Sequence, residues 1–197
     1  MMNKKHIISS VILAGGEGQR MGRKNKGLIS LNNIPLIQHV IERLRPQSDH
    51  ILISANKDIE AYQEFGFPVI SDQTDYQNKG PLAGILSTTA FIPKDTDALL
   101  IVPCDTPFLP INLVSIFVNN LYNQVENEIA YAATHTQIHP SIFLCKPKIN
   151  DGLAAHLNQQ QFSLKSWIFK HNSVKTVFED EHAFTNINDM QILHQNQ

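Results

Sequence analysis

A chain of 197 residues with 42% hydrophobic and 17% charged content has the size and composition of a single folded domain, taken as residues 1–197. Its net charge of −2 leaves no broad basic footprint for nucleic acid, and its two cysteines, Cys104 and Cys145, make neither a disulfide framework nor a zinc-type Cys-x-x-Cys pair. The two lysines before the first apolar run only imitate a secretory signal, and no stretch is long enough to cross a membrane, so the cytoplasm is the expected location.

The first apolar run, Ile7 to Leu13, ends at Gly15-Gly16 and reads as a buried strand followed by a tight turn. Pro35 to Leu44 has helical apolar spacing, with the proline in the first turn. His50 to Asn56 and Pro68 to Asp72 are further strands, Gly80-Pro81 marks a turn, and Leu82 to Ala90 forms a helix rich in small residues. Ala98 to Asp105 is the most apolar strand and stops at an acid. Beyond it, Ile129 to Thr134, Ser141 to Cys145 and Val174 to Phe178 read as strands, and Leu153 to His171 as a helix. Asn188 and Asp189 cap a last short helix through Leu193. Strands alternating with helices predict an α/β fold around a mainly parallel sheet.

In such sheets ligands collect at the carboxyl ends of the strands. The suggestive residues lie there: Gly15 and Gly16 after the first strand, Asp72 after the third, Asp105 after the fourth. The loop LAGGEGQRMGRKNKG, Leu13 to Gly27, combines glycines, which let backbone approach a ligand, with Arg20, Arg23, Lys24 and Lys26. Successive N–H groups can cradle phosphate oxygens, and the basic side chains add charge. The loop is not a Walker A motif, because no Gly-Lys-Ser/Thr follows at the required spacing. Met21 in place of the third glycine also breaks the Rossmann dinucleotide fingerprint.

LAGG-x-x-x-R-M-G followed by Lys26-Gly27-Leu28 resembles the signature of the NTP-transferase family, which implies a Rossmann-like three-layer fold of nucleotidyltransferase type. GPLAG (80–84), PCDTPF (103–108), HPSIFL (139–144) and AFTNIN (183–188) are similar, in order and interval, to the bacterial molybdenum cofactor guanylyltransferases. The likeness runs from about Val11 to Leu193. It implies transfer of GMP from GTP to the terminal phosphate of Mo-molybdopterin, with pyrophosphate released and Mg²⁺ as cofactor. By the same resemblance Leu13, Ala14 and Gly15 touch the guanine and ribose end, Arg20 and Lys26 neutralise the triphosphate, Asp105 holds the metal and Asp72 lies on the nucleoside side. Ser54 stands where the relatives carry the first asparagine of Asn-Ala-Asn, so its part in reading the base is open. His139, Asn186 and Asn188 fall on the acceptor side. A transient contact with molybdoenzyme apoproteins or chaperones is also implied. Cytidylyl transfer to the same cofactor, nucleotide transfer to a sugar phosphate, and non-catalytic nucleotide or cofactor binding are the competing functions.

Several residues have plainer readings. His135 and His139, four apart, are more simply part of a strand connection than a metal pair. His139 with Pro140 suits a turn, and Asn186 and Asn188 suit helix capping. Cys104 reads as a small buried residue, Trp167 as a packing residue, and Asp75 as part of a surface loop rather than a second ligand beside Asp72.

Overall fold

The computed structural model describes residues 5–15, 17–18 and 24–187. The chain opens with β1 (Ile8–Leu13), whose Ser9 and Ser10 are wholly buried. Their hydroxyls share hydrogen bonds with Thr96 (2.7 Å) and Ser48 (2.6 Å), which is why two serines are tolerated in a central strand. The limbs of the glycine-rich loop pair as a small antiparallel ribbon, β2 (Glu17–Gly18) with β3 (Lys24–Asn25). A 3-10 turn at Lys26–Leu28 follows.

A second ribbon joins β4 (Ser30–Leu31) to β5 (Ile34–Pro35) through Asn32 and Asn33, both at positive φ. This ribbon places Pro35 just before α1 (Leu36–Leu44), in extended backbone, rather than in the helix's first turn as expected. The buried face of α1 is the predicted one: Leu36, Ile37, Val40, Ile41 and Leu44. Next come β6 (His50–Ser54), α2 (Ile59–Gln63), the short β7 (Val69–Ile70), α3 (Pro81–Thr88) and β8 (Ala98–Pro103). The helix α4 (Leu113–Leu121) went unanticipated, although Leu113, Val114, Phe117 and Leu121 are buried at helical spacing.

β9 (Ile129–Ala133) is followed by β10 (Ile138–Cys145), three residues longer at its start than the predicted strand. The single helix expected from Leu153 to His171 is two, α5 (Leu153–Asn158) and α6 (Leu164–Ile168). Gln160 adopts positive φ between them, and the Ser163 hydroxyl caps the second by accepting from Ser166 N–H at 3.2 Å. β11 (Ser173–Val177) closes the main sheet. The helix expected from 188 to 193 lies outside the described residues.

The seven-stranded sheet runs β11-β9-β10-β8-β1-β6-β7, and only β10 is antiparallel to its neighbours. Alternate residues of the strands feed two cores. Ile8, Ile12, Leu100 and Val102 pack with α1 and α4 on one face. Val11, Leu99 and Ile101 pack with α3, α5 and α6, including Trp167, on the other. The result is the three-layer α/β arrangement expected from the sequence. No helix among the described residues is long and apolar enough to cross a membrane.

Candidate active site

The register of the parallel strands aligns their carboxyl ends. Leu13 lies opposite Ser54 on one side and Pro103 on the other, and Ser54 lies opposite Ile70. Backbone hydrogen bonds carry the alignment one residue further, from Ala14 N–H to the Ser54 carbonyl (2.8 Å), Ala55 to Ile70 (3.0 Å) and Cys104 to Leu13 (3.1 Å). Four strands thus deliver Gly15, Asn56, Asp72 and Asp105 to one edge. Those residues, with Leu13, Lys26, Ser54 and Gly84, line a cleft of about 470 Å³, a volume suited to a small-molecule ligand. A larger hollow of about 940 Å³ opens at the opposite end of the sheet around Arg45, Asp49 and Tyr122. None of the motif residues among the described residues lines it.

Lys26 reaches Asp105 across 79 residues of chain, with Nζ 3.2 Å from Oδ2. The approach depends on Gly27. A β-carbon there would stand 2.8 Å from the Tyr62 hydroxyl and 3.3 Å from the Cys104 β-carbon, so only glycine lets the turn lie this close to β8. Asn25 Nδ2 donates to the Asp58 carboxylate and ties the returning limb of the glycine loop to the segment before α2. Asp105 is 5% exposed, and its Oδ1 is buried with no hydrogen-bond partner among the described residues. An orphaned carboxylate oxygen beside a lysine is a costly arrangement unless a cation or ligand completes it.

Across the cleft, Asn56 and Asp72 form a reciprocal pair. Asn56 Nδ2 donates to Asp72 Oδ2 at 2.7 Å, and Asp72 N–H donates to Asn56 Oδ1 at 2.8 Å. Burial raises the Asp72 pKa above its usual value, and the Asn56 hydrogen bond opposes that rise. Gly80 at positive φ turns the chain into α3, whose first turn borders the cleft. Beside Asp105, the Thr106 hydroxyl donates to Asn186 Oδ1 at 2.6 Å, and Ile187 N–H donates to the Asp105 carbonyl at 2.9 Å.

The structure therefore gathers Leu13, Ala14, Gly15, Lys26, Ser54, Asp72 and Asp105 at one edge and brings Asn186 up against its flank. His139 lies on β10, the strand next to β8, with its ring stacked on Phe184 at 5.0 Å and its Nε2 buried without a hydrogen-bond partner among the described residues. Burial lowers its pKa, against the nearby Glu181, so the neutral imidazole is favoured. His135 instead pairs with Glu179 at 2.9 Å, and Asp75 is exposed in a 3-10 turn outside the cleft wall. Gly16, Arg20 and Asn188 lie outside the described residues. Asn56, Thr106 and Leu164 were not singled out in the sequence. Asn56 and Thr106 sit inside recognisable motifs, whereas Leu164 carries no signal beyond its hydrophobicity. Among the described residues no group of three or more His, Cys, Asp or Glu could hold a metal. Mg²⁺ ordinarily binds through one or two carboxylates together with substrate phosphates and water, and Asp105 supplies one such carboxylate at the cleft.

Comparison with known proteins places this architecture. Residues 10–174 match the model of the MobA-like NTP transferase domain. The molybdenum cofactor guanylyltransferase of Shewanella halifaxensis (strain HAW-EB4) is 42% identical over 182 residues, covering 92% of this chain and 89% of the relative. The crystal structure of molybdopterin-guanine dinucleotide biosynthesis protein A from Archaeoglobus fulgidus superposes with a TM-score of 0.73 at 19% identity, covering 95% of this chain and 96% of the other. A 4-diphosphocytidyl-2C-methyl-D-erythritol synthase from Anaerococcus prevotii gives 0.74 at 15% identity, covering 97% and 95%. At such identities the structural likenesses establish the fold alone.

Proposed function

The chain belongs to the MobA-like NTP transferase family, and we propose that it acts as a molybdenum cofactor guanylyltransferase, moving GMP from GTP to the terminal phosphate of Mo-molybdopterin and releasing pyrophosphate. The observation that carries the reaction type is the Lys26–Asp105 pair at the cleft, with Asp105 Oδ1 left without a partner among the described residues. The similarity to curated guanylyltransferases over nearly the whole chain favours guanine and this acceptor.

The chemistry asks little of the protein in proton transfer. A phosphate monoester has a second pKa near 6, so the acceptor oxygen is largely anionic at neutral pH. That oxygen bonds to the α-phosphorus of GTP as the bond from the α-phosphorus to the bridging oxygen breaks, and the electron pair leaves with pyrophosphate. The residues position and neutralise. Lys26 offers a fixed positive charge to the phosphates. The first turn of α3, at the cleft wall, adds the favourable field of a helix N-terminus. Leu13, Ala14, Gly15 and Ser54 face the nucleoside, and Asp72, held by Asn56, accepts hydrogen bonds there. Asp105 is the residue that would hold Mg²⁺, which when bound supplies positive charge to the phosphate oxygens. Arg20 and Gly16 belong to the same phosphate loop by motif.

The cytoplasm is the proposed setting, in keeping with two buried, unpaired cysteines. A transient contact with molybdoenzyme apoproteins or chaperones, to hand on the product, is part of the same proposal. Pyrophosphate release with GTP and then CTP, each with Mg²⁺ and Mo-molybdopterin and with acceptor-free blanks, tests the reading. Release with GTP alone supports it. Release with CTP alone makes the chain a cytidylyltransferase, and binding without release makes it a carrier.

A further inference from the structure

Asp58 stands at the N-cap position of α2 with φ +50° and ψ +40°, in the left-handed region that a non-glycine residue seldom occupies. An aspartate at an N-cap ordinarily accepts hydrogen bonds from the N–H groups of the helix's first turn. This one makes no such bond. Its carboxylate accepts instead from Asn25 Nδ2, 33 residues earlier in the chain. Two local preferences are thus given up for one exposed contact, of a kind that ordinarily adds little to stability. What the contact does is hold the residue before Lys26. On the other side of Lys26, Gly27 lies against Tyr62, where a β-carbon would stand 2.8 Å from the hydroxyl. Tyr62 is wholly buried in the core, and its N–H donates to the Asp58 carbonyl at 3.1 Å. A single helical turn therefore moors Lys26 from both flanks, and from there its Nζ reaches Asp105 Oδ2 at 3.2 Å in the cleft.

We propose that Asp58 is a positioning residue for Lys26: by clasping Asn25 it fixes the returning limb of the glycine-rich loop, so that the ammonium meets the triphosphate. A lysine head sits on a flexible four-carbon stem, and rooting its backbone limits how far the charge strays from Asp105. The clasp calls for an accepting oxygen and a left-handed backbone at position 58, not for a negative charge. The inference rests on the guanylyltransferase reading for its purpose and on GTP binding for its test. Loss of the clasp leaves the core and the cleft walls in place but lets Lys26 drift. The penalty therefore falls on GTP affinity rather than on folding.

Titration of GTP in the presence of Mg²⁺, with the melting temperature recorded alongside, tests this on the full chain and on Asp58→Gly, Asp58→Asn, Asn25→Ala and Lys26→Ala. Glycine accepts the left-handed backbone and removes only the carboxylate side chain. Asp58→Gly should weaken GTP binding about tenfold, the scale of one weakened hydrogen bond between lysine and phosphate. Its melting temperature should stay within about 2 °C of the parent. Asp58→Asn keeps an accepting oxygen and tolerates positive φ, so it should recover most of the affinity. Asn25→Ala should match Asp58→Gly, and adding Asp58→Gly to Lys26→Ala should cost nothing further. Parental affinity in Asp58→Gly, an equal loss in Asp58→Asn, a further loss on top of Lys26→Ala, or a larger fall in melting temperature would overturn the proposal. The transfer assay separates the two readings. A parent that binds GTP and transfers no GMP overturns the guanylyltransferase reading alone, and a parent that binds no GTP overturns both.

Discussion

Ser54 and Gly84 are in such close apposition that a β-carbon on Gly84 would lie 2.4 Å from Ser54 Oγ and 3.4 Å from Ser54 Cβ. Alanine in place of a helical glycine ordinarily gains about 1 kcal/mol, so a favourable substitution is here opposed by a clash. Gly84→Ala should lower the melting temperature and weaken GTP binding. Adding Ser54→Ala removes the oxygen, leaves only ordinary van der Waals contact, and should recover the melting temperature. A single Gly84→Ala variant that melts above the parent would show that the apposition is slack.

Asp105→Asn keeps the size of the side chain and its position beside Lys26 but removes the charge. Turnover should fall on the order of 100-fold or more, the usual cost of losing a preorganised charge stabiliser. Lys26→Ala should fall comparably, chiefly through the triphosphate. Parental kcat in Asp105→Asn would remove it as the metal-holding residue.

The raised pKa of Asp72 has a thermodynamic signature. Burial makes the native state hold this proton more tightly than the unfolded chain, where the group titrates near 3.8. Between 3.8 and the higher native value the folded state therefore binds more protons, so this group's contribution to stability falls as pH rises. Asp72→Asn abolishes the titration. The melting temperature of Asp72→Asn relative to the parent should climb as pH is raised through that window and then level off. A difference that stays flat from pH 3 upward would show that Asp72 titrates normally.

Gly27→Ala is expected to displace the turn that carries Lys26, since Tyr62 and Cys104 leave no room for the methyl group. It should reduce kcat and lower the melting temperature together. Tyr62→Phe in the same chain relieves the 2.8 Å contact and should recover part of both. Kinetics unaffected by Gly27→Ala would mean that the turn does not govern the placement of Lys26.

Much of this site is legible in the sequence because central parallel strands are buried on both faces and read as plain apolar runs. Ile7 to Leu13 and Ala98 to Asp105 announce themselves in that way, and their terminal glycines and acid mark the edge where ligands gather. The α5–α6 break is hidden because Leu153, Leu157, Leu164, Trp167 and Ile168 all pack into one core on both sides of Gln160. Periodicity persists where the helix does not. The start of β10 is masked by His139-Pro140, which look like a turn, yet Ile138 and His139 pair with β9 and the register shifts only between His139 and Phe143. Asn32-Asn33 is a hairpin signal that went unread. The Thr106–Asn186 and Asn56–Asp72 contacts depend on three-dimensional register and have no one-dimensional trace.

The most direct test follows the phosphorus. GTP labelled at the α-phosphorus, or in a parallel reaction at the γ-phosphorus, is incubated with the protein, Mg²⁺ and Mo-molybdopterin, and the pterin product is isolated. The account predicts that the α label appears in a guanine dinucleotide while the γ label leaves entirely as pyrophosphate. Transfer of the γ label to the pterin, or no label in the pterin from either nucleotide, would contradict it.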